Sequence, residues 1–100
     1  MRHYELMFIQ HGELDDTTVD TNVKRFSDLI TQLGGTVSNV DHWGKREFAY
    51  EINHKTHGYY TVVDFEIDAD GLNELDRQLR ISDDIVRHKV VRPQTRTKNL

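Results

Sequence analysis

Residues 43–60, WGKREFAYEINHKTHGYY, decide the fold. Phe48, Tyr50 and Ile52 alternate with Glu47, Ala49, Glu51 and Asn53, the period of a strand with one buried face. Asn53 to Gly58 gathers turn residues with His54, Lys55 and His57, and predicts a polar loop. Beyond it, Tyr59, Thr61, Val63, Phe65 and Ile67 alternate with Tyr60, Val62, Asp64 and Glu66. Two strands joined in this way form a β-hairpin, and the segments on either side must cover its apolar face.

Working outward toward the start, Thr36 opens the strand that runs into Ile52. Seventeen residues at about 3.3 Å each would span roughly 56 Å, too long for one straight strand here. Val37 also belongs to one phase and Val40, Phe48, Tyr50 and Ile52 to the other, which predicts a bend or bulge near Trp43-Gly44. Before Gly34-Gly35, Val19, Val23, Phe26, Ile30 and Leu33 fall on one helical face, so a helix is expected over about 16–33. Asp15 and Asp16 suit its N-terminus, and the glycines its left-handed end. His3 to Ile9 reads as a first strand, with Leu6 and Phe8 toward a core and His3, Glu5 and Met7 away from it. Working outward toward the end, Leu72, Leu75 and Leu79 stripe a second helix over about 69–79, with Arg77 and Arg80 off the stripe. Ser82-Asp83-Asp84 is a turn, and Ile85 to Arg92 is a last strand that Pro93 ends.

The order is βαββαβ. Two one-faced helices over a four-stranded antiparallel sheet are the α+β solution known as the ferredoxin-like, split βαβ fold. Right-handed crossovers put the first and third strands in the centre and make the second and fourth edges. The charges Lys45, Arg46, Glu47 and Glu51 on the second strand suit an edge, where they either guard against aggregation or frame a partner's docking site. Residues 1–92 thus form one domain, and 93–100 a flexible basic C-terminal tail with nothing to bury.

No cysteine is present, which excludes disulfides and Cys-based zinc sites. No apolar run approaches the ~20 residues of a membrane span, and the first residues lack an apolar signal region, so a soluble cytoplasmic chain is expected. The net charge of −4 hides an asymmetry. Residues 1–84 hold 8 Lys/Arg against 17 Asp/Glu, whereas 85–100 hold Arg87, Lys89, Arg92, Arg96 and Lys98 and no acid. An acidic body with a basic end argues against an indiscriminate RNA coat. It suits a protein that touches phosphate at one edge and offers an acidic face to a basic partner, or a merely solubilising surface.

Three separated stretches carry a family resemblance. Residues 44–53, GKREFAYEIN, the opening MRHYEL and residues 75–87, LDRQLRISDDIVR, followed by Val90-Val91-Arg92, are similar to the bacterial small-subunit ribosomal protein S-six family. The resemblance covers residues 1 to about 92. Phe48 stands where that family usually has leucine, Glu47 where it is often basic, Glu51 for a common proline, and His11-Gly12 for a turn containing proline. The resemblance implies the same ferredoxin-like fold and a structural, non-enzymatic place in the small ribosomal subunit. It further implies binding to rRNA of the central domain (platform) together with ribosomal protein S-eighteen, a small basic partner.

On that footing Arg2 and Tyr4 are candidate rRNA contacts, although Tyr4 shares the parity of Leu6 and Phe8 and equally fits core packing. Arg87, Lys89 and Arg92 on the last strand, beside Arg2, would track a phosphate backbone or simply protect an edge. Lys45 and Arg46 flank the expected bend and divide between RNA, partner and solvent, and Lys55 would reach phosphate from the loop. Glu47, Tyr50 and Glu51 are the candidate partner-binding residues. Trp43, the one tryptophan, is expected to cap the core at the bend rather than to anchor an interface.

Other chemistries find less support. His54 and His57 form an H-x-x-H without a third ligand at fixed spacing, with His42 elsewhere on the hairpin, so no metal or other cofactor is assigned. Residues 57–65, HGYYTVVDF, half-match the motif of single-strand RNA-recognition modules, which share this topology; a stand-alone RNA reader is therefore the alternative function. Thr61 and Asp64 stand at its aromatic positions, and base stacking on the open sheet face is not expected. A ferredoxin-like phosphoryl hydrolase lacks its phosphate-cradling loop, because Gly34-Gly35 follows a helix instead of preceding one. No small-molecule substrate is implied.

Overall fold

In the computed structural model the described residues are 1–52 and 55–92, with backbone alone at 48–52, 55 and 56. The elements run β1 (Arg2–His11), α1 (Asp16–Gln32), β2 (Thr36–Ile52), β3 (Lys55–Ile67), α2 (Ala69–Ile81) and β4 (Ile85–Val91). The sheet order is β2-β3-β1-β4 with every pairing antiparallel, so β2 and β4 are the edges, as expected. One difference concerns the hairpin. Residues 55–58 are not loop but the first rungs of β3, with Lys55 opposite Ile52 and His57 opposite Glu47. Asn53 to Gly58 carries no apolar alternation to reveal a strand, whereas the backbone pairing extends β3 to Lys55.

Both helices pack on one face. Leu6, Phe8, Val63, Phe65 and Ile67 from the sheet meet Phe26 and Ile30 of α1 and Leu75 and Leu79 of α2, all nearly inaccessible to water. Phe8 and Phe26 meet edge to face with ring centroids 5.6 Å apart. At the start of α1 the Asp15 carboxylate accepts the Thr18 N–H at 2.7 Å, and hydrogen bonding from Thr18, through its side chain first and its backbone second, holds the Asp15 pKa below the ordinary value. At its end, Gly34 takes φ +90°. The Gly34 N–H then donates to Thr31 O at 3.0 Å and the Gly35 N–H to Ile30 O at 2.9 Å, a Schellman ending.

β2 bends twice. The pairing shifts between Val37 and Asn39 and again between His42 and Gly44. The second break is the expected one, and φ +87° at Gly44 explains the glycine there. The first break reconciles the two phases. Val37 faces Phe65 and Val40 faces Val63, so both lie on the helix side with Ser38 bulged out between them.

α2 is tied to β4 through Asp76, and its other carboxylate bonds lie within the helix. Asp76 accepts from His88 Nε2 at 2.7 Å and from Arg80 at 2.6 Å, while Glu74 accepts from Arg77 at 2.7 and 2.9 Å and from Gln78 at 2.8 Å. The bonds from Arg77 and Gln78 lower the Glu74 pKa from 4.5 to about 2, and those from His88 and Arg80 lower Asp76 below its ordinary 3.8. Folded values below the unfolded ones mean stability that is fully present above about pH 4.5 and lost as pH falls toward 2. The urea midpoint is therefore expected to fall across that interval, and Asp76→Asn to flatten the fall. An unchanged profile in Asp76→Asn would show that the pair contributes nothing.

Candidate nucleic-acid interface

The sheet face away from the helices is open, and strand pairing orders its side chains in rows. One row holds Asn39, Asp64, Glu5 and Val91, and the next Asp41, Val62, Met7 and Lys89. A third runs from Gly44 and the bulged Trp43 through Tyr60 and Ile9 to Arg87. Arg46, opposite Gly58, lies one row further. The face is thus acidic toward Glu66, apolar in the middle, and cationic along β4 and at Arg46. His3 Nε2 lies 4.0 Å from Asp64 Oδ1 at the acidic end.

The predicted rRNA contacts divide between the two faces. Arg87 and Lys89 are exposed on the open face of the β4 edge. Arg2 is cross-strand from buried Ile67, on the helix side and at the opposite end of β1, so the structure does not bring it beside Arg87. Arg2 lines a hollow of about 370 Å³ with Met1, Tyr4, Ile67, Asp68 and Ala69. Arg92 lines a neighbouring cleft of about 290 Å³ with Tyr4, Leu72, Asn73, Asp76, Val90 and Val91. Tyr4 walls both, half-buried, with its ring 5.9 Å from that of Phe65. It is a packing residue that also reaches the surface.

Lys45 and Arg46 separate as well. Lys45 pairs with Tyr59, and its Nζ lies 5.8 Å from that ring's centroid. The Tyr59 hydroxyl donates to Asp16 Oδ1 at 3.4 Å, and burial together with the Asp16 charge pushes the phenol pKa up. Lys45 thus lies beside Tyr59 on the helix side and Arg46 on the open face, and both, with Glu47, are exposed along the β2 edge. The side chains of Tyr50, Glu51 and Lys55, together with His54 and the tail 93–100, lie outside the described residues. His42 Nδ1 is 2.8 Å from Thr61 Oγ1 on the helix side, and no metal-holding group of His, Asp or Glu occurs among the described residues. Nor is any described helix long and apolar enough to cross a membrane.

Trp43 corrects an expectation. It does not cap the core but stands 42% exposed on the open face, its ring stacked on Tyr60 at 6.1 Å between centroids and 4° between planes. Its Nε1–H donates to Asp41 Oδ2 at 2.9 Å. The bulge explains the outcome. His42 and Gly44 take the paired positions opposite Thr61 and Tyr60, and the residue squeezed out between them turns to the open side. The recognition-module motif also sits one residue out of phase. Tyr59 and Thr61 are buried under the helices, while Tyr60 is the aromatic on the open face.

The comparisons with known proteins point to one family. The family model described as ribosomal protein S6 matches residues 3–92. A small ribosomal subunit protein bS6 of Carboxydothermus hydrogenoformans is 51% identical over 92 residues, covering 92% of this chain and 96% of the relative. The protein of the same name from Clostridium acetobutylicum is 48% identical over 91% of this chain and 96% of its own length. A crystal structure of 30S ribosomal protein S6 from Thermotoga maritima superposes with a TM-score of 0.88 at 33% identity, over 92% of this chain and 87% of that one.

Proposed function

The chain belongs to the ribosomal protein S-six family of the small ribosomal subunit, and from that premise we propose that it binds central-domain rRNA jointly with ribosomal protein S-eighteen. The observation that carries this reading is the open edge of β4. Arg87 and Lys89 stand exposed on a strand with a single neighbour, while the rest of the body is acidic. Cations so placed take phosphates by charge, and the backbone of an RNA can pass along the edge. Arg46 extends the same face. Arg2 and Arg92, on either side of Tyr4, give a second contact on the helix side. The acidic surface, with Glu47 on the other edge strand and Tyr50 and Glu51 beyond it, is offered to the basic partner. Such a chain acts as a cytoplasmic ribosomal constituent with no catalytic step.

The test is a gel-shift titration on a central-domain rRNA fragment, with and without ribosomal protein S-eighteen, at several salt concentrations. Binding that requires the partner supports the proposal. Tight binding alone, extending to unrelated single strands, favours a stand-alone RNA reader. Within the titration, Arg87→Ala/Lys89→Ala is expected to leave folding intact and to lower the slope of log affinity against log salt by about 1.5 to 2, two contacts' worth. A slope equal to that of the native chain removes β4 from the interface.

A further inference from the structure

We propose that the exposed ring of Trp43, backed by Tyr60, is a stacking site for one unpaired nucleobase of the RNA, whose phosphates run toward Arg46 and Arg87. The inference rests on the rRNA reading above. A ring that is 42% exposed and lies within 4° of parallel to the Tyr60 ring, offset at 6.1 Å between centroids, is a flat surface already begun as a stack. Its orientation is fixed from two sides. Asp41 holds the indole N–H at 2.9 Å, and the bulge with φ +87° at Gly44 sets the backbone. Tyr60 is itself anchored on the sheet, since it pairs with Ile9, which is only 5% exposed. Every base has a π face, so such a surface takes a base without reading its identity.

Charge selects between occupants. Arg46 is two residues beyond Gly44 on the same strand and the same face, and Arg87 ends the Trp43 row, about 10 Å from Tyr60 at two strand spacings. The carboxylates Asp64, Glu5 and Glu66 lie at the other end of the sheet. Asp41 repels phosphate from its own edge of the ring, so the sugar–phosphate must leave on the arginine side. A cationic protein side chain laid over the indole would instead be drawn to Asp41 and repelled by Arg46. The sign of an Asp41 substitution therefore tells a base from a cation.

The experiment uses the full chain with the central-domain rRNA fragment and ribosomal protein S-eighteen. Emission is taken as the difference between native and Trp43→Phe mixtures, which removes light from any other chain. On complex formation the Trp43 emission is expected to be quenched. Trp43→Ala should weaken binding about tenfold, with Trp43→Phe retaining most of the affinity, as the loss of one stacked base implies. Asp41→Asn, which keeps an acceptor for the indole N–H, should bind as well as the native chain or more tightly. Native-like affinity of Trp43→Ala with unaltered emission would overturn the stacking site while leaving the rRNA reading intact. Weakening by Asp41→Asn comparable to that of Trp43→Ala would assign the ring to a cationic protein group instead. Absence of any complex with the native chain would remove the rRNA reading, and the inference with it.

Discussion

Phe26→Ala is expected to lower the stability of this protein by about 3–5 kcal/mol, the usual cost of truncating a fully buried phenylalanine. The residue has no exposed surface and occupies the middle of the α1 stripe. Its ring meets Phe8 edge to face at 5.6 Å, and Arg25 lies 5.0 Å from its centroid on the outer side. Deleting it opens a void between α1 and the two central strands, which a close-packed interior refills only in part. A domain of 100 residues has roughly 5–15 kcal/mol to lose, so the variant stands near the edge of folding. Urea or thermal unfolding followed by circular dichroism checks this, with a melting point lower by on the order of 15–30 °C. A loss below about 1 kcal/mol would mean that α1 is held by something other than its apolar face. Phe26→Leu should recover most of the difference, because it restores volume at the same place.

That prediction was available in the sequence because periodicity reports burial. Val19, Phe26 and Ile30 repeat at helical spacing, Leu6 and Phe8 at strand spacing, and the structure buries all five. The basic side chains were legible as a set but not as an arrangement. The face of Arg2 follows from its parity with Tyr4, Leu6 and Phe8, but its separation from Arg87 depends on the antiparallel register of β1 and β4, a long-range property that no local pattern encodes. Trp43 escaped for a related reason. A bulge was expected at the right place, but the side to which a bulged residue turns depends on which neighbours keep their partners. The break at Ser38 is written in the phase change from Val37 to Val40, but the later bend, with its glycine, accounts for the same change, so the sequence does not separate the two. Gln10 and Asn22 are the residues that pattern reading passed over. Gln10 shares the parity of Leu6 and Phe8, and Asn22 lies three residues after Val19 and four before Phe26, so each occupies an inward position with a polar side chain.

Asn22→Leu is expected to cost about 2–4 kcal/mol, and Gln10→Leu/Asn22→Leu no more than that. Asn22 Nδ2 donates to Gln10 Oε1 at 2.8 Å and to Asp84 Oδ2 at 2.9 Å, while Gln10 Nε2 donates to Val19 O at 3.2 Å. Gln10 is fully buried and Asn22 only 6% exposed. Removing the asparagine alone strands the glutamine oxygen away from water, where an unpaired acceptor is costly. Removing both partners takes the stranded group with them, and Leu at each position adds apolar contact. Urea midpoints of the four proteins of this double-mutant cycle give the coupling, expected at 1 kcal/mol or more; additivity within about 0.5 kcal/mol would refute it. The network also reaches the β4 edge proposed to meet RNA. Asp84 accepts the His11 N–H through its backbone oxygen at 3.0 Å and the Asn22 amide through its side chain, immediately before β4 begins. β4 has β1 as its single neighbour in the sheet, so its start is held by few bonds. Either variant that lacks Asn22 should therefore speed amide exchange at Arg87 and Lys89 more than at the central strands. Equal protection of β4 in all four proteins would show that the polar network steadies the core without positioning the cationic strand.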